Sequence, residues 1–204
     1  MSIIVKIYGL EIEYCQGVYR PSDDSFLLAD TLNGHVKGKL AIDIGSGTGI
    51  ISLVIAKTGI RVIATDISLD SAKCTWNNAK RNNLDHLIDV ICCDIICPLR
   101  PSAKLDVIAS NPPYLLGDWR EEPSIYGGIS GTELIKRIIL QSKIFIKRGA
   151  KLYLVVSSIS NLDSILKKIR ELNLTFNILH KKPLNFFEDI FVLKIYYHLI
   201  HGKQ

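Results

Sequence analysis

From Lys39 onward the chain alternates between runs of strand length and runs of helical period, and this limits the folds open to it. Leu40 to Ile44 is an apolar run of strand length. It feeds a glycine-rich turn, Asp43-Ile44-Gly45-Ser46-Gly47-Thr48-Gly49, and then a helix through Ile51, Leu53, Val54, Ile55 and Ala56 that ends at Gly59. Arg61 to Thr65 reads as a second strand, and Ser68 caps a helix carrying Ala72, Trp76 and Ala79. Ile88 to Cys93 and Leu105 to Ser110 are the third and fourth strands. Ile135, Ile138, Ile139, Ser142 and Ile146 share one helical face, and Lys151 to Val156 is the fifth strand. Asn161 caps an amphipathic helix through Leu162, Ile165, Leu166, Ile169 and Leu172. Leu174 to Leu179 and Ile190 to Tyr197 close the series. The connection between these two, through Pro183 and Asn185, is too short for a helix, so they are expected to be antiparallel neighbours. The pattern predicts an α/β fold: a seven-stranded, mostly parallel sheet with one antiparallel strand and helices on both faces.

Upstream, Ile3 to Ile7 and Leu10 to Tyr14 read as strands around Gly9. Pro21 precedes a helix from about Ser22 to Leu32, with Ser22 as its N-cap and Asp23 and Asp24 at its positive end. One domain over 1–204 is expected, with 1–38 as N-terminal strands and helix and 39–204 as the core.

Composition narrows the function classes. Apolar residues are 48% of 204, yet no run approaches the ~20 residues of a membrane span, and the N-terminus lacks a signal-peptide pattern. The net charge of +5 is dispersed. Lys167, Lys168 and Arg170 read as a solvated helix face, and Lys181-Lys182 as a turn. The five cysteines (Cys15, Cys74, Cys92, Cys93, Cys97) lack zinc-site spacing and read as small buried hydrophobes of a reducing cytoplasm. The histidines show no ligand spacing either, so no metal site is expected.

The chemistry lies at the predicted strand ends. Glycines in the 43–49 turn allow a tight bend and close approach of a ligand to backbone. Asp66, ending the second strand, suits ribose hydroxyls. Asp94, after the third, suits an adenine amino group. A nicotinamide dinucleotide is one reading, but Asp43 would repel its pyrophosphate. The same anion tolerates an ammonium and a sulfonium, which favours S-adenosylmethionine. Asn111-Pro112-Pro113-Tyr114 follows the fourth strand, where α/β sheets bind ligands. Prolines have fixed φ and no N–H. A carboxamide oxygen beside rigid, acceptor-only backbone suits holding an NH2 group by both hydrogens. Taken alone, an Asn before proline is a turn former.

The run Asp43 to Gly49 with Asp66 and Asp94 resembles the cofactor site of class I S-adenosylmethionine-dependent methyltransferases, which have a Rossmann-like fold. Asn111 to Tyr114 matches their N-P-P-Y signature for planar nitrogens: adenine N6, guanine N2 or a glutamine amide. Val18-Tyr19-Arg20-Pro21-Ser22-Asp23-Asp24-Ser25-Phe26-Leu27-Leu28 resembles the N-terminal motif of HemK-like release-factor glutamine methyltransferases of the archaeal and eukaryotic type. Arg20 stands where an acid is common. Tyr126-Gly127-Gly128 with Gly131 resembles that family's glycine loop. The resemblance implies that Ser25, Asp43, Gly45, Gly47, Asp66, Ile67, Asp94, Ile95 and Asn111 bind the cofactor. It also implies that Asn111, Pro112, Pro113 and Tyr114 form the catalytic signature.

The resemblance therefore implies methylation of the Gly-Gly-Gln glutamine in a class I translation release factor, in the cytoplasm. RNA or DNA adenine-N6 methylation is the competing activity, although no basic, aromatic-rich strip suggests more than indirect contact with nucleic acid. A cofactor fold without catalysis is a third reading, which the intact signature disfavours. The third strand, 88–93, is expected at the sheet edge, apolar on both faces apart from Asp89. An edge of that kind invites strand addition. In the resembled family a small zinc-binding activator subunit docks there.

Overall fold

The computed structural model describes residues 3–97, 99–118, 120, 125–185 and 187–198. Among these residues nine strands and five helices run in the order β1(Ile3–Ile7), β2(Leu10–Tyr14), α1(Asp23–Leu32), β3(Leu40–Ile44), α2(Ile50–Ala56), β4(Arg61–Asp66), α3(Leu69–Arg81), β5(Ile88–Cys92), β6(Val107–Ser110), α4(Glu133–Ile146), β7(Lys151–Ser157), α5(Leu162–Glu171), β8(Thr175–Asn185) and β9(Glu188–Tyr196). β3 to β9 form the expected seven-stranded sheet, in the order β5-β4-β3-β6-β7-β9-β8. Only β9 is reversed, pairing antiparallel with β7 and β8.

Side-chain alternation along the central strands builds two cores. Ala41, Val62, Ala64, Val107, Ala109 and Val155 face α1, α2 and α3. Ile42, Ile44, Ile108, Leu152, Leu154 and Val156 face α4 and α5. A parallel strand covered on both faces has no polar side, which is why these runs are almost continuously apolar.

β1 and β2 form a separate hairpin. α3 holds its outer edge: Glu11 and Glu13 donate their N–H groups to Asn82 Oδ1 and Asn78 Oδ1, both at 2.8 Å. The same two amides donate back to the Glu11 and Glu13 carbonyls at 2.8 and 3.0 Å. Two asparagines one helical turn apart thus substitute for a third strand.

Several expectations are corrected. Cys15 and Cys74 are joined by a disulfide, and of the other cysteines Cys92 and Cys97 are exposed and Cys93 is partly so. The reading of all five as buried hydrophobes fails, and with it the cysteine argument for a reducing compartment. Ser22 precedes α1, but its hydroxyl makes no cap bond; Asp24 Oδ1 instead accepts from the Ser25 N–H at 2.6 Å. Lys181 and Lys182 lie in β8, not in a turn, and pair with Asp189 at 2.8 Å and Asp23 at 2.9 Å. Pro183 lies inside β8 because β8 is an edge strand, where a missing N–H costs no ladder bond. Ser68 and Asn161 do cap α3 and α5, accepting from Ser71 and Ser164 N–H groups at 3.3 and 3.0 Å. No helix among the described residues is long and apolar enough to cross a membrane.

Candidate active site

The connections after β3 and after β6 leave in opposite directions along the sheet, so a crevice opens between their carboxyl ends. Ser110 Oγ donates to the Ile44 carbonyl across it at 2.9 Å. A cavity of about 670 Å³ occupies this place, and every residue the sequence nominated lines it: Ser25, Asp43, Gly45, Gly47, Asp66, Ile67, Asp94, Ile95, Asn111, Pro112, Pro113 and Tyr114.

The floor is the glycine turn. Gly45, Gly47 and Gly49 have φ of 75°, 56° and 82°, a region that glycine enters without a Cβ penalty. At Gly45 and Gly47 the position of a Cβ faces open space, so a ligand can lie against bare backbone. α3 fixes the turn from below: Thr75 Oγ1 donates to the Gly47 carbonyl at 3.0 Å and Asn78 Nδ2 to the Thr48 carbonyl at 2.9 Å.

Asp43 is buried, and its Oδ2 accepts from the Ser52 N–H at 3.0 Å and the Ser52 hydroxyl at 2.6 Å. Burial pushes its carboxyl from 3.8 to about 7, against the pull of the Ser52 bonds. An acid held in this state gains from a cationic ligand. Asp66 accepts from the Gly47 and Ser68 N–H groups, both at 2.9 Å. Burial nevertheless raises its pKa. Asp94 is ion-paired through Oδ2 with Arg137 at 2.5 Å. Beside it, Ile95 has φ of 53°, a left-handed conformation that a β-branched residue seldom adopts and that marks local strain. Ile67 presents an apolar side chain, 64% exposed, to the cavity wall.

At the other end, Asn111 Oδ1 is buried with no hydrogen-bond partner among the described residues. Its Nδ2 donates to Ser25 Oγ at 3.1 Å. An orphaned acceptor of this kind is costly in a fold and intelligible where a ligand supplies the donor. The glycine loop clamps the signature from behind. Gly127 N–H donates to the Leu115 carbonyl at 2.9 Å, and Ser160 Oγ to the Tyr114 carbonyl, also at 2.9 Å. A Cβ at Gly127 would run into the Pro113 carbonyl, and one at Gly131 into the Tyr114 carbonyl. Those glycines are required by backbone-to-backbone contact.

Among the lining residues that were not singled out from the sequence as site residues are Asp24, Tyr19 and Glu188. Asp24 is buried and Oδ2 accepts from the Tyr19 and Tyr114 hydroxyls at 3.2 and 3.3 Å. Burial, reinforced by the Asp24 charge, raises the pKa of both tyrosines, so they remain protonated donors at neutral pH. The signal for Tyr19 and Asp24 was the N-terminal motif containing them. Nothing local marks Glu188; it reaches the cavity only because β9 folds back beside β7, where Ser157 Oγ donates to Glu188 Oε1 at 2.7 Å. No cluster of metal-ligating side chains occurs among the described residues.

Sheet order, one reversed strand and a ligand crevice at the β3/β6 switch define a class I methyltransferase, an enzyme that uses S-adenosylmethionine. A family model described as Methyltransferase small domain matches residues 17–177. The putative protein N5-glutamine methyltransferase MJ0928 of Methanocaldococcus jannaschii is 31% identical over 198 residues, covering 94% of this chain and 98% of that protein. The human methyltransferase HEMK2 is 32% identical over 166 residues, 74% of this chain and 76% of that one. Among solved structures, the E. cuniculi Mtq2–Trm112 complex, responsible for methylation of the eRF1 translation termination factor, aligns with a TM-score of 0.69 at 23% identity, over 89% of this chain and 99% of that one. The chain belongs to the methyltransferase small domain family.

Proposed function

We propose that this enzyme transfers a methyl group to the side-chain amide nitrogen of a glutamine, the one in the Gly-Gly-Gln loop of a class I translation termination factor. The reading rests on one observation above the others: the buried Asn111 Oδ1, without a partner among the described residues, at the cavity end opposite Asp66. When bound, S-adenosylmethionine supplies an electrophilic methyl on a sulfonium. Asp66 would accept hydrogen bonds from its ribose, Asp94, Ile95 and Ile67 would hold its adenine, and Asp43 would offset its positive charge. The open backbone of Gly45 and Gly47 makes room for it.

An amide nitrogen is a weak nucleophile because its lone pair is delocalised. Asn111 Oδ1 and the Pro112 carbonyl accept its two N–H bonds. This holds the nitrogen in line for attack and stabilises the positive charge that develops on it. Pro113 stiffens the loop, and the Tyr114 ring packs on the planar group. Proton loss to water follows transfer.

Two carboxylates, Asp24 and Glu188, line the acceptor end. They favour a protein loop over a phosphate backbone, and so glutamine over adenine in RNA or DNA. The Methanocaldococcus jannaschii relative, named a putative protein N5-glutamine methyltransferase, points the same way. A termination factor as substrate fits an enzyme of the cytoplasm.

The partner is a small zinc-binding activator docked on the 88–93 edge. β5 terminates the sheet, with Val90 and Ile91 half-buried and Cys92 exposed. A strand whose outer edge has no partner among the described residues is a template for strand addition.

The test is methyl transfer from labelled cofactor to a purified termination factor, to its Gln→Asn variant, and to adenine-containing RNA, each with and without the activator. Label confined to the glutamine-containing protein supports the reading; label in RNA alone overturns it. Asn111→Ala should leave cofactor binding intact and cut turnover by on the order of 100-fold.

A further inference from the structure

A carboxamide has two nearly isosteric orientations, and only one serves the reaction. Asn111 must turn Oδ1, not Nδ2, into the cavity. Ser25 Oγ, its neighbour at 3.1 Å, does not by itself decide the matter, because a hydroxyl both donates and accepts. If the Ser25 proton were free, it could donate to the amide oxygen and draw Oδ1 out of the cavity.

The proton is not free. Ser25 Oγ donates to Asp24 Oδ1 at 3.2 Å, and the Ser25 N–H donates to the same oxygen at 2.6 Å. A carboxylate only accepts. The remaining groups around it conform, since the Tyr19 and Tyr114 hydroxyls both donate to Oδ2. Asp24 is 4% exposed and Ser25 is 5% exposed, so these bonds are largely shielded from water.

We propose that Asp24 is a positioning residue that sets the direction of a relay through Ser25 to Asn111, fixing the amide so that Oδ1 faces the acceptor. With its own proton committed to Asp24, Ser25 Oγ can only accept, and it takes the N–H of Asn111 Nδ2. The carboxylate thereby dictates the orientation of a side chain 87 positions away (86 from Ser25 to Asn111, as counted for their hydrogen bond, and one more back to Asp24). Through the Tyr114 hydroxyl it also fixes the ring that flanks the substrate. This inference rests on the acceptor role of Asn111 proposed above.

The experiment is a double-mutant cycle read in kcat and in cofactor affinity, on the enzyme with its activator. The variants are Asp24→Ala, Ser25→Ala, Ser25→Thr and Asn111→Ala, alone and combined. Asp24→Ala and Ser25→Ala should each lower kcat by about tenfold or more, as expected for losing a hydrogen bond to a charged group. For Asp24→Ala, which is not among the residues assigned to the cofactor, affinity by calorimetry should stay within about threefold, and this also reports an intact fold. Ser25→Thr, which keeps the hydroxyl, should retain most activity. In the Asn111→Ala background, Asp24→Ala should cause almost no further loss in kcat. Full additivity in that background overturns the relay, as does a Ser25→Ala enzyme of normal kcat. A normal kcat for Asn111→Ala alone would instead sink the underlying function, so the two failures are distinguishable.

Discussion

Replacing Asp43 with asparagine separates the cost of a buried charge from its use. The folded protein holds this carboxyl at about 7 against 3.8 in the unfolded chain, chiefly through burial. That is roughly three pH units at ~1.4 kcal/mol each, so above neutrality the ionised group costs the ligand-free fold up to about 4 kcal/mol. The direction follows from proton counting. Between the two values the folded state keeps a proton that the unfolded chain has released, so stability falls as pH rises through this window. Asparagine carries no charge, and its amide oxygen can still accept from Ser52 N–H and Oγ. Asp43→Asn should therefore be more stable than the parent to urea at about pH 8 without cofactor, and the gap should narrow as the pH falls toward 5. With cofactor present the order should reverse, because the cationic ligand compensates the aspartate and not the amide. By the same linkage, parental affinity for S-adenosylmethionine should decline below about pH 7. Urea melts at several pH values with and without ligand, together with calorimetry, measure all of this. A variant less stable than the parent at every pH, or a gap independent of pH, would refute the reasoning.

Asp66→Ala should weaken S-adenosylmethionine binding by about tenfold or more, since the loss removes a ribose acceptor and also frees the Gly47 N–H; unchanged calorimetric affinity would contradict its role. Gly131→Ala should depress turnover far more than cofactor affinity, because φ of 69° and the Tyr114 carbonyl both oppose a Cβ; steady-state kinetics show the split. Cys74→Ala should lower stability by about 4 kcal/mol in the chain-entropy account of a 59-residue separation; chemical denaturation with and without reductant checks this, and indifference to both would argue that the cross-link does not form.

Much of the architecture was legible because parallel strands covered on both faces leave an unmistakable mark. Leu40 to Ile44 and Lys151 to Val156 are nearly unbroken apolar runs, and the helices between them carry clean stripes such as Ile135, Ile138 and Ile139. The cofactor floor was legible for a different reason. Positive φ at Gly45, Gly47 and Gly49 needs glycine, so backbone geometry appears directly as residue type. What stayed hidden was long-range. Glu188 reaches the cavity through a strand reversal, and Asp24 looked like an ordinary helix-start acid until the Tyr19 and Tyr114 hydroxyls were placed on it. The cysteine pair escaped for the same reason, because 59 intervening residues say nothing about two sulfurs meeting. Ser22 shows the limit of local rules: the capping position was right, but its hydroxyl makes no such bond.

The acceptor mouth draws on both ends of the described chain, with Lys182 bonded to Asp23 across 159 positions and Glu188 lining the same cavity as Asp24. A ribosome emits α1 and β3 to β5 before the β8–β9 hairpin. The cofactor floor, built from β3 to β5 and α3, can therefore consolidate during translation while the substrate port stays unfinished. The port for the target is therefore completed later in synthesis than the floor that holds the cofactor.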